Sequence, residues 1–397
     1  MLQTLSIAAE LRPLHRVRPL IADLPISKII EVAVAGLHDP DVVALWFGES
    51  DLITPSVVCE AAAKALHGGH TFYTFKKGIP ELRRAIANYL SSNHQRPVSD
   101  DRVIVTSSGG NAIMLTCQTL LDPGDNVVIV TPLWPNAADA ISAVGAEPRA
   151  VGLTLREDGT WTLELDRVFA ACDARTRAVF VNSPNNPTGW MMDRVTQEAL
   201  MEFTRARGIW LIADEVYSRI VYDGRAAPSF LDFAEPDDGL IVINSFSKTW
   251  AMTGWRLGWM IAPRAIQDVA DKVVEFNTSG APTFLQFAGV AALEQGEPFV
   301  TELVDHCRRG RDVLVDGLKQ FPRLSVSTPA GAFYAFCRVD GMKDSLTFAK
   351  ALLAQCKVGV APGIAFGEAG EGFLRLCFAS RPARLNLALA RMAPMFA

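Results

Sequence analysis

A chain of 397 residues exceeds one ordinary single-core domain, so two or more lobes are expected. With 49% apolar and 20% charged residues the balance is that of a globular protein, and a net charge of -5 without dense Lys/Arg clusters excludes a general nucleic-acid or anionic-membrane binder. No apolar stretch approaches the length needed to cross a bilayer, so no membrane partner is expected.

The basic stretch Arg12 to Arg18 is short and interrupted by proline, and reads as a solvated N-terminal arm. Pro25 stands just ahead of the helical pattern Ile26, Ile29, Ile30 and Ala33. Residues 1–45 are therefore expected to form an arm and a first helix joined to the smaller lobe. His67-Gly-Gly-His70 has no companion at ligand spacing, so it reads as a helix end or loop, and no metal site is expected.

From 46 to about 285, short apolar runs alternate with helical patterns. The strand candidates are Val103–Val105, Val127–Val130, Ala178–Val181, Trp210–Ala213 and Leu240–Ile243. Continuous apolar strands separated by helices imply a parallel sheet covered on both faces. Asp122-Pro-Gly-Asp125 and Ser183-Pro-Asn-Asn-Pro-Thr-Gly189 punctuate this region as turns. Residues 286–397 combine helical stretches with the strand-like pieces Ala332–Phe336 and Phe373–Phe378, which reads as a smaller α+β domain. Seven cysteines, at 59, 117, 172, 307, 337, 356 and 377, lack paired spacing, and no secretory signal is visible. A cytoplasmic location is expected.

Polar residues cluster where ligands bind in such sheets, beyond the carboxyl ends of the strands. Ser107-Ser-Gly109-Gly110-Asn111 follows a strand and opens a helix through Leu121. It reads equally as a phosphate site or as a tight turn with an Asn cap. Asp214 ends an apolar strand, with Tyr217 three residues on. By itself the acid reads as a helix N-cap, and alternatively as the partner of a ligand's ring nitrogen. Lys248 lies just past the strand Leu240–Ile243 among Phe246, Trp250, Met252 and Trp255. Desolvation there would lower its pKa and favour an imine-forming amine. Arg256, eight residues on, offers a planar fork suited to phosphate.

The segment Ser245-Phe-Ser-Lys248-Thr-Trp-Ala-Met-Thr-Gly-Trp-Arg256-Leu-Gly258 resembles the lysine site of the fold-type I pyridoxal-phosphate enzymes, and within them of the class I/II aminotransferases. Further matches run in the same order: Tyr73 with Gly78-Ile-Pro-Glu-Leu-Arg83, Gly109-Gly110, Trp134-Pro-Asn136, Asn185-Asn-Pro-Thr-Gly189, Asp214 with Tyr217, and Arg375. The resemblance covers almost the whole chain. It implies an α/β fold whose large domain holds a mostly parallel seven-stranded sheet between helices. It also implies pyridoxal 5'-phosphate as a Schiff base on Lys248, with Asp214 at the ring nitrogen, Asn186 and Tyr217 at the 3-hydroxyl oxygen, and Trp134 stacked on the ring.

Gly109, Gly110, Asn111, Ser245 and Arg256 would hold the phosphate, joined by Tyr73 from the second subunit of a homodimer. Arg375, Asn186 and the backbone at Gly48 would receive the substrate. The implied reaction moves an amino group from an L-amino acid to a 2-oxo acid. Alternatives are a β-lyase using the same residues, which would release ammonia and pyruvate, and a ligand-sensing regulator, for which the chain has no spare length or basic recognition helix. Two departures stand out. Gly48-Glu-Ser-Asp51 replaces the family's Gly-Glu-Pro-Asp, and Asn277-Thr-Ser-Gly280 lacks the arginine that binds a side-chain carboxylate in well-known aspartate enzymes. Trp46, Phe47 and Phe333 could suit apolar substrates or simply pack in the core.

Overall fold

The structure, a computed structural model, describes residues 17–396; of the expected N-terminal arm, residues 1–16 lie outside the described range. Its large sheet is built from β1 (Val103–Thr106), β2 (Asn126–Thr131), β3 (Glu147–Gly152), β4 (Thr176–Asn182), β5 (Trp210–Asp214), β6 (Leu240–Ser245) and β7 (Gly258–Ile261), in the spatial order β1-β7-β6-β5-β4-β2-β3. All pairs are parallel except those of β7, which runs antiparallel to both β1 and β6. All five strand candidates are strands of this sheet. Their unbroken apolar character has a clear cause. Val128, Val130, Val179 and Val181 enter the core on one face, while Val127, Ile129, Ala178 and Phe180 enter the core on the other. Alternate residues face opposite ways, and both faces are covered.

The flanking helices that matter for the site are α1 (Lys28–Val34), α2 (Ser56–His67), α3 (Pro80–Asn93), α4 (Gly109–Leu120), α5 (Thr283–Gln295) and α6 (Glu297–Leu318). α5 packs against α2 and α3. Ser27 caps α1, and Ile29, Val32 and Ala33 are its buried stripe. The expected pattern is only half right here, because Ile26 and Ile30 are exposed. His67 ends α2, and His70 packs on the Phe287 ring at 4.5 Å between centroids. Among the described residues no group of three or more His, Cys, Asp or Glu could hold a metal.

A second sheet, antiparallel, comprises β8 (Leu324–Val326), β9 (Tyr334–Val339), β10 (Ala361–Pro362) and β11 (Phe373–Cys377) in the order β8-β9-β11-β10. Residues 43–44 run parallel to 358–359 beside it, and the Cys377 N–H donates to the Leu45 carbonyl at 2.9 Å. The segment 43–45 is thereby pinned beside the strand that carries Arg375. No helix among the described residues is long and apolar enough to cross a membrane. All seven cysteines are unpaired, and only Cys59 is exposed.

Candidate active site

The carboxyl ends of the parallel strands lie in register. Asn182 pairs with Asp214, Asp214 with Ile243, and Gly258 with both Ser245 and Thr106. Beyond these ends lies a cavity of about 380 Å3. It is lined by Gly48, Gly109, Gly110, Trp134, Asn186, Asp214, Tyr217, Ser245, Lys248, Arg256 and Arg375, all singled out from sequence.

α4 opens directly on the cavity. Ser108 caps it by accepting the Asn111 N–H at 2.9 Å, and the first-turn amides of a helix have no carbonyl one turn back to bond. Gly109 and Gly110 therefore turn the start of a helix, where backbone donors are free, toward the cavity. The turn can approach the sheet only because residue 258 is glycine: a Cβ there would come within 2.7 Å of the Gly109 nitrogen and 2.9 Å of the Asn244 oxygen. Asn111 does not line the cavity. Its side chain turns back to accept the Ser107 N–H at 3.2 Å, so it closes the turn. Arg256 reaches the cavity rim from a left-handed backbone (φ 53°), and its guanidinium donates to the Thr253 carbonyl at 2.6 Å.

Asp214 is 5% exposed, and its carboxylate accepts one backbone N–H, from Val216 at 3.3 Å. A turn follows, not a helix, so the capping alternative is excluded. Burial pushes its pKa from 3.8 to about 7, against the pull of the Val216 amide and the Lys248 ammonium. Such an acid is primed for a cationic partner.

Lys248 sits in the single turn Phe246–Thr249 after β6. Its ammonium donates to the Gly48 carbonyl at 2.6 Å and lies 5.9 Å from the centroid of the Tyr217 ring. Burial lowers its pKa from 10.5 to about 8; the nearby Arg375 and Arg256 act in the same direction, and Cys377 and Glu49 oppose them.

Arg375 is 2% exposed. It donates to the Asn186 side-chain oxygen at 3.0 Å and to the Trp46 carbonyl, while its Nε has no partner. Its guanidinium lies 4.5 Å from the centroid of the Tyr334 ring and 4.9 Å from that of the Phe366 ring. Among the described residues no carboxylate pairs with it. A buried cation left so is costly until an anion arrives.

Several residues of the site went unread in the sequence. Asn182 donates to the Asp214 carbonyl at 3.0 Å and accepts the Asn186 N–H at 2.8 Å, which brackets β4 to β5 and aims Asn186. A polar residue directly after the apolar run Ala178–Val181 was the available signal. Tyr334 lies against Tyr217, their hydroxyls 2.7 Å apart. Ser27, which caps α1, Ile29 and Ile30 within it and Ile113 from α4 line the cavity together with Trp46 and Phe47.

Phe333, like Asn111, does not line the cavity, and Tyr73, expected at a partner's site, stands away from that of its own subunit. Tyr73 is 96% exposed, beside the exposed Phe72 and Phe75, and lines a separate surface depression. Phe333 is buried edge-on against Tyr217 and does not line the cavity. The segment 277–280 also lies away from the cavity, with Gly280 packed beside Thr74 and Phe75.

An open α/β sheet whose strand ends gather an amine, a buried acid and a helix start, faced by an arginine of the second sheet that has no carboxylate partner among the described residues, is a site suited to a small anionic ligand. The family model described as aminotransferase class I and II matches residues 40–392, and the chain belongs to this family. It is an aminotransferase. Aspartate aminotransferase of Pyrococcus horikoshii is 34% identical over 92% of this chain and 93% of that protein. A single mutant of Thermus thermophilus aspartate aminotransferase superposes with a TM-score of 0.89 at 32% identity, covering 96% of this chain and 99% of that one. An aromatic aminotransferase from Pyrococcus horikoshii OT3 gives 0.84 at 31% identity, covering 92% and 98%. The fold class expected from the sequence is the one observed.

Proposed function

We propose that the chain transfers the amino group of an L-amino acid to a 2-oxo acid with pyridoxal 5'-phosphate linked to the Lys248 amine. The observation that carries this reading is the convergence of Lys248, Asp214 and Arg375 on one cavity of about 380 Å3. The donor set fits the cofactor. Asp214 is a buried acid primed for a cation, as a protonated ring nitrogen would be. The amides of Gly109 and Gly110, with Ser245 and Arg256, offer donors for a phosphate, while Ser108 and Ser247 line the cavity beside them. Trp134 would stack on the ring, and Tyr217 and Asn186 would face its hydroxyl oxygen. When bound, the cofactor supplies an electron sink for charge developing at the substrate Cα.

The chain's own residues do the rest. Asp214 holds a proton at the ring nitrogen. Arg375, already desolvated and lacking a carboxylate, binds the substrate's α-carboxylate with its planar fork and fixes which substituent faces Lys248. Lys248 is depressed toward neutral pH, and it moves a proton at the substrate Cα as base and then as acid. Trp46, Phe47, Ile29 and Ile30 restrict water at the cavity.

A homodimer in which Tyr73 reaches the phosphate end of the partner's site belongs to the same proposal. The exposure of three neighbouring aromatic residues, Phe72, Tyr73 and Phe75, supports it. Seven unpaired cysteines support a reducing, cytoplasmic location.

The test is Lys248→Ala. Wild-type protein mixed with pyridoxal phosphate should gain the absorbance of a lysine-linked chromophore, and the variant should lose that absorbance and nearly all turnover while keeping its circular dichroism spectrum. An unchanged absorbance spectrum in the variant would overturn the assignment.

A further inference from the structure

Tyr334 opens β9 and is fully buried at the centre of the site. Its hydroxyl lies 2.7 Å from that of Tyr217, and the two rings meet edge to face at 81° with centroids 5.7 Å apart. The Arg375 guanidinium stands 4.5 Å from the centroid of the Tyr334 ring. The Gly48 backbone lies directly against the Tyr334 hydroxyl, leaving no room for a Cβ, and the Gly48 carbonyl accepts the Lys248 ammonium. One side chain thus touches the phenol, the arginine and the backbone segment that surround the reacting amine.

The proton count on the two phenols sets a direction. A hydroxyl has one hydrogen to donate and two lone pairs with which to accept. A Tyr217 that donates to an oxygen in the cavity can meet Tyr334 only as an acceptor, so Tyr334 must be the donor between them. Burial holds both phenols in their protonated form, which keeps this order available throughout the neutral range.

We propose that Tyr334 is a positioning residue: its hydroxyl donates to Tyr217 and so commits Tyr217 as a donor to the cofactor's ring oxygen, while its ring holds the Arg375 guanidinium ready for the substrate carboxylate. This rests on the proposed placement of pyridoxal phosphate against Lys248 and Tyr217. A donor on the ring oxygen stabilises negative charge there and lowers the proton affinity of the adjacent lysine–cofactor nitrogen. Tyr334 strengthens that donor from behind. The other titratable groups around the amine are Glu49, Cys377, Arg375, Arg256 and Asp214, and Tyr334→Phe leaves every one of them in place.

The experiment is a spectrophotometric pH titration of the lysine-bound cofactor in wild type, Tyr334→Phe, Tyr217→Phe and the double variant. Tyr334→Phe should move the midpoint upward by about half to one pH unit, the size of one hydrogen bond. In the Tyr217→Phe background the same change should move it no further. An unshifted midpoint in Tyr334→Phe, or equal shifts in both backgrounds, overturns the relay.

Tyr334→Leu removes the ring: KM for the amino acid should rise about tenfold with a smaller change in kcat, while Tyr334→Phe, which keeps the ring, leaves KM within about twofold. A KM in the leucine variant equal to that of wild type overturns the support of Arg375. The isosteric phenylalanine arm stands even if the leucine variant fails to fold. A wild-type protein that forms no pH-sensitive chromophore would overturn the cofactor assignment itself, a result distinct from a chromophore whose midpoint ignores residue 334.

Discussion

Replacing Asp214 with asparagine should stabilise the cofactor-free protein and cripple the enzyme, and both effects follow from the same buried charge. Burial raises the carboxyl from 3.8 to about 7. That rise of about three units corresponds to about 4 kcal/mol against the charged form. Because the folded-state value lies above the unfolded one, the folded protein holds its proton more tightly. The stability this contributes is present below about pH 4 and is lost as pH rises through 7. Asparagine does not titrate, so the cofactor-free variant should exceed cofactor-free wild type by up to about 4 kcal/mol at pH 7.5, with the gap closing toward pH 4. With cofactor bound, loss of the charge that holds the ring-nitrogen proton should slow turnover by about 10²–10³. Urea unfolding of both cofactor-free proteins at several pH values, alongside single-turnover rates, measures the two effects. A gap that does not widen between pH 4.5 and 7.5 would refute the reasoning.

Two further outcomes test the site from other directions. Lys248 is lowered from 10.5 to about 8 by burial, and only its neutral form attacks an aldehyde, so the rate of cofactor capture by the cofactor-free protein should rise with pH and level off above about pH 8; a midpoint near 10 would contradict the desolvated environment. Mixing unfolded Lys248→Ala and Tyr73→Ala subunits and refolding them together should restore activity beyond either parent, since each hybrid dimer would contain one site with both residues intact. No gain on mixing would argue that Tyr73 serves no partner.

Much of the architecture was legible because burial on both faces of a sheet leaves unbroken apolar runs, and five such runs became β1, β2, β4, β5 and β6. The remaining two strands were hidden for different reasons. β3 lies at the sheet edge and carries the half-exposed sequence Glu147–Gly152, in which a proline and two charged residues interrupt the apolar run, while β7 (Gly258–Ile261) returns antiparallel to β6 after only short turns, outside the alternation of strand and helix that marked the others. The helical pattern Ile26, Ile29, Ile30 and Ala33 marked α1 but not its orientation, since the site draws Ile30 toward its cavity instead of into the core.

Residue types and their order along the chain determined by themselves that a desolvated lysine would follow a buried strand, that a glycine turn would open a helix, and that an acid would end the neighbouring strand. The meeting of Lys248 with Gly48, 200 residues away, was decided only by tertiary structure. So were the contacts of Arg375 with the Tyr334 and Phe366 rings, the bracket made by Asn182, and the pairing of Tyr217 with Tyr334. The physical reason is one of range. Periodicity and turn chemistry report which face of a single element is buried, whereas the partners of a buried polar group come from distant segments, and those partners set its charge and orientation.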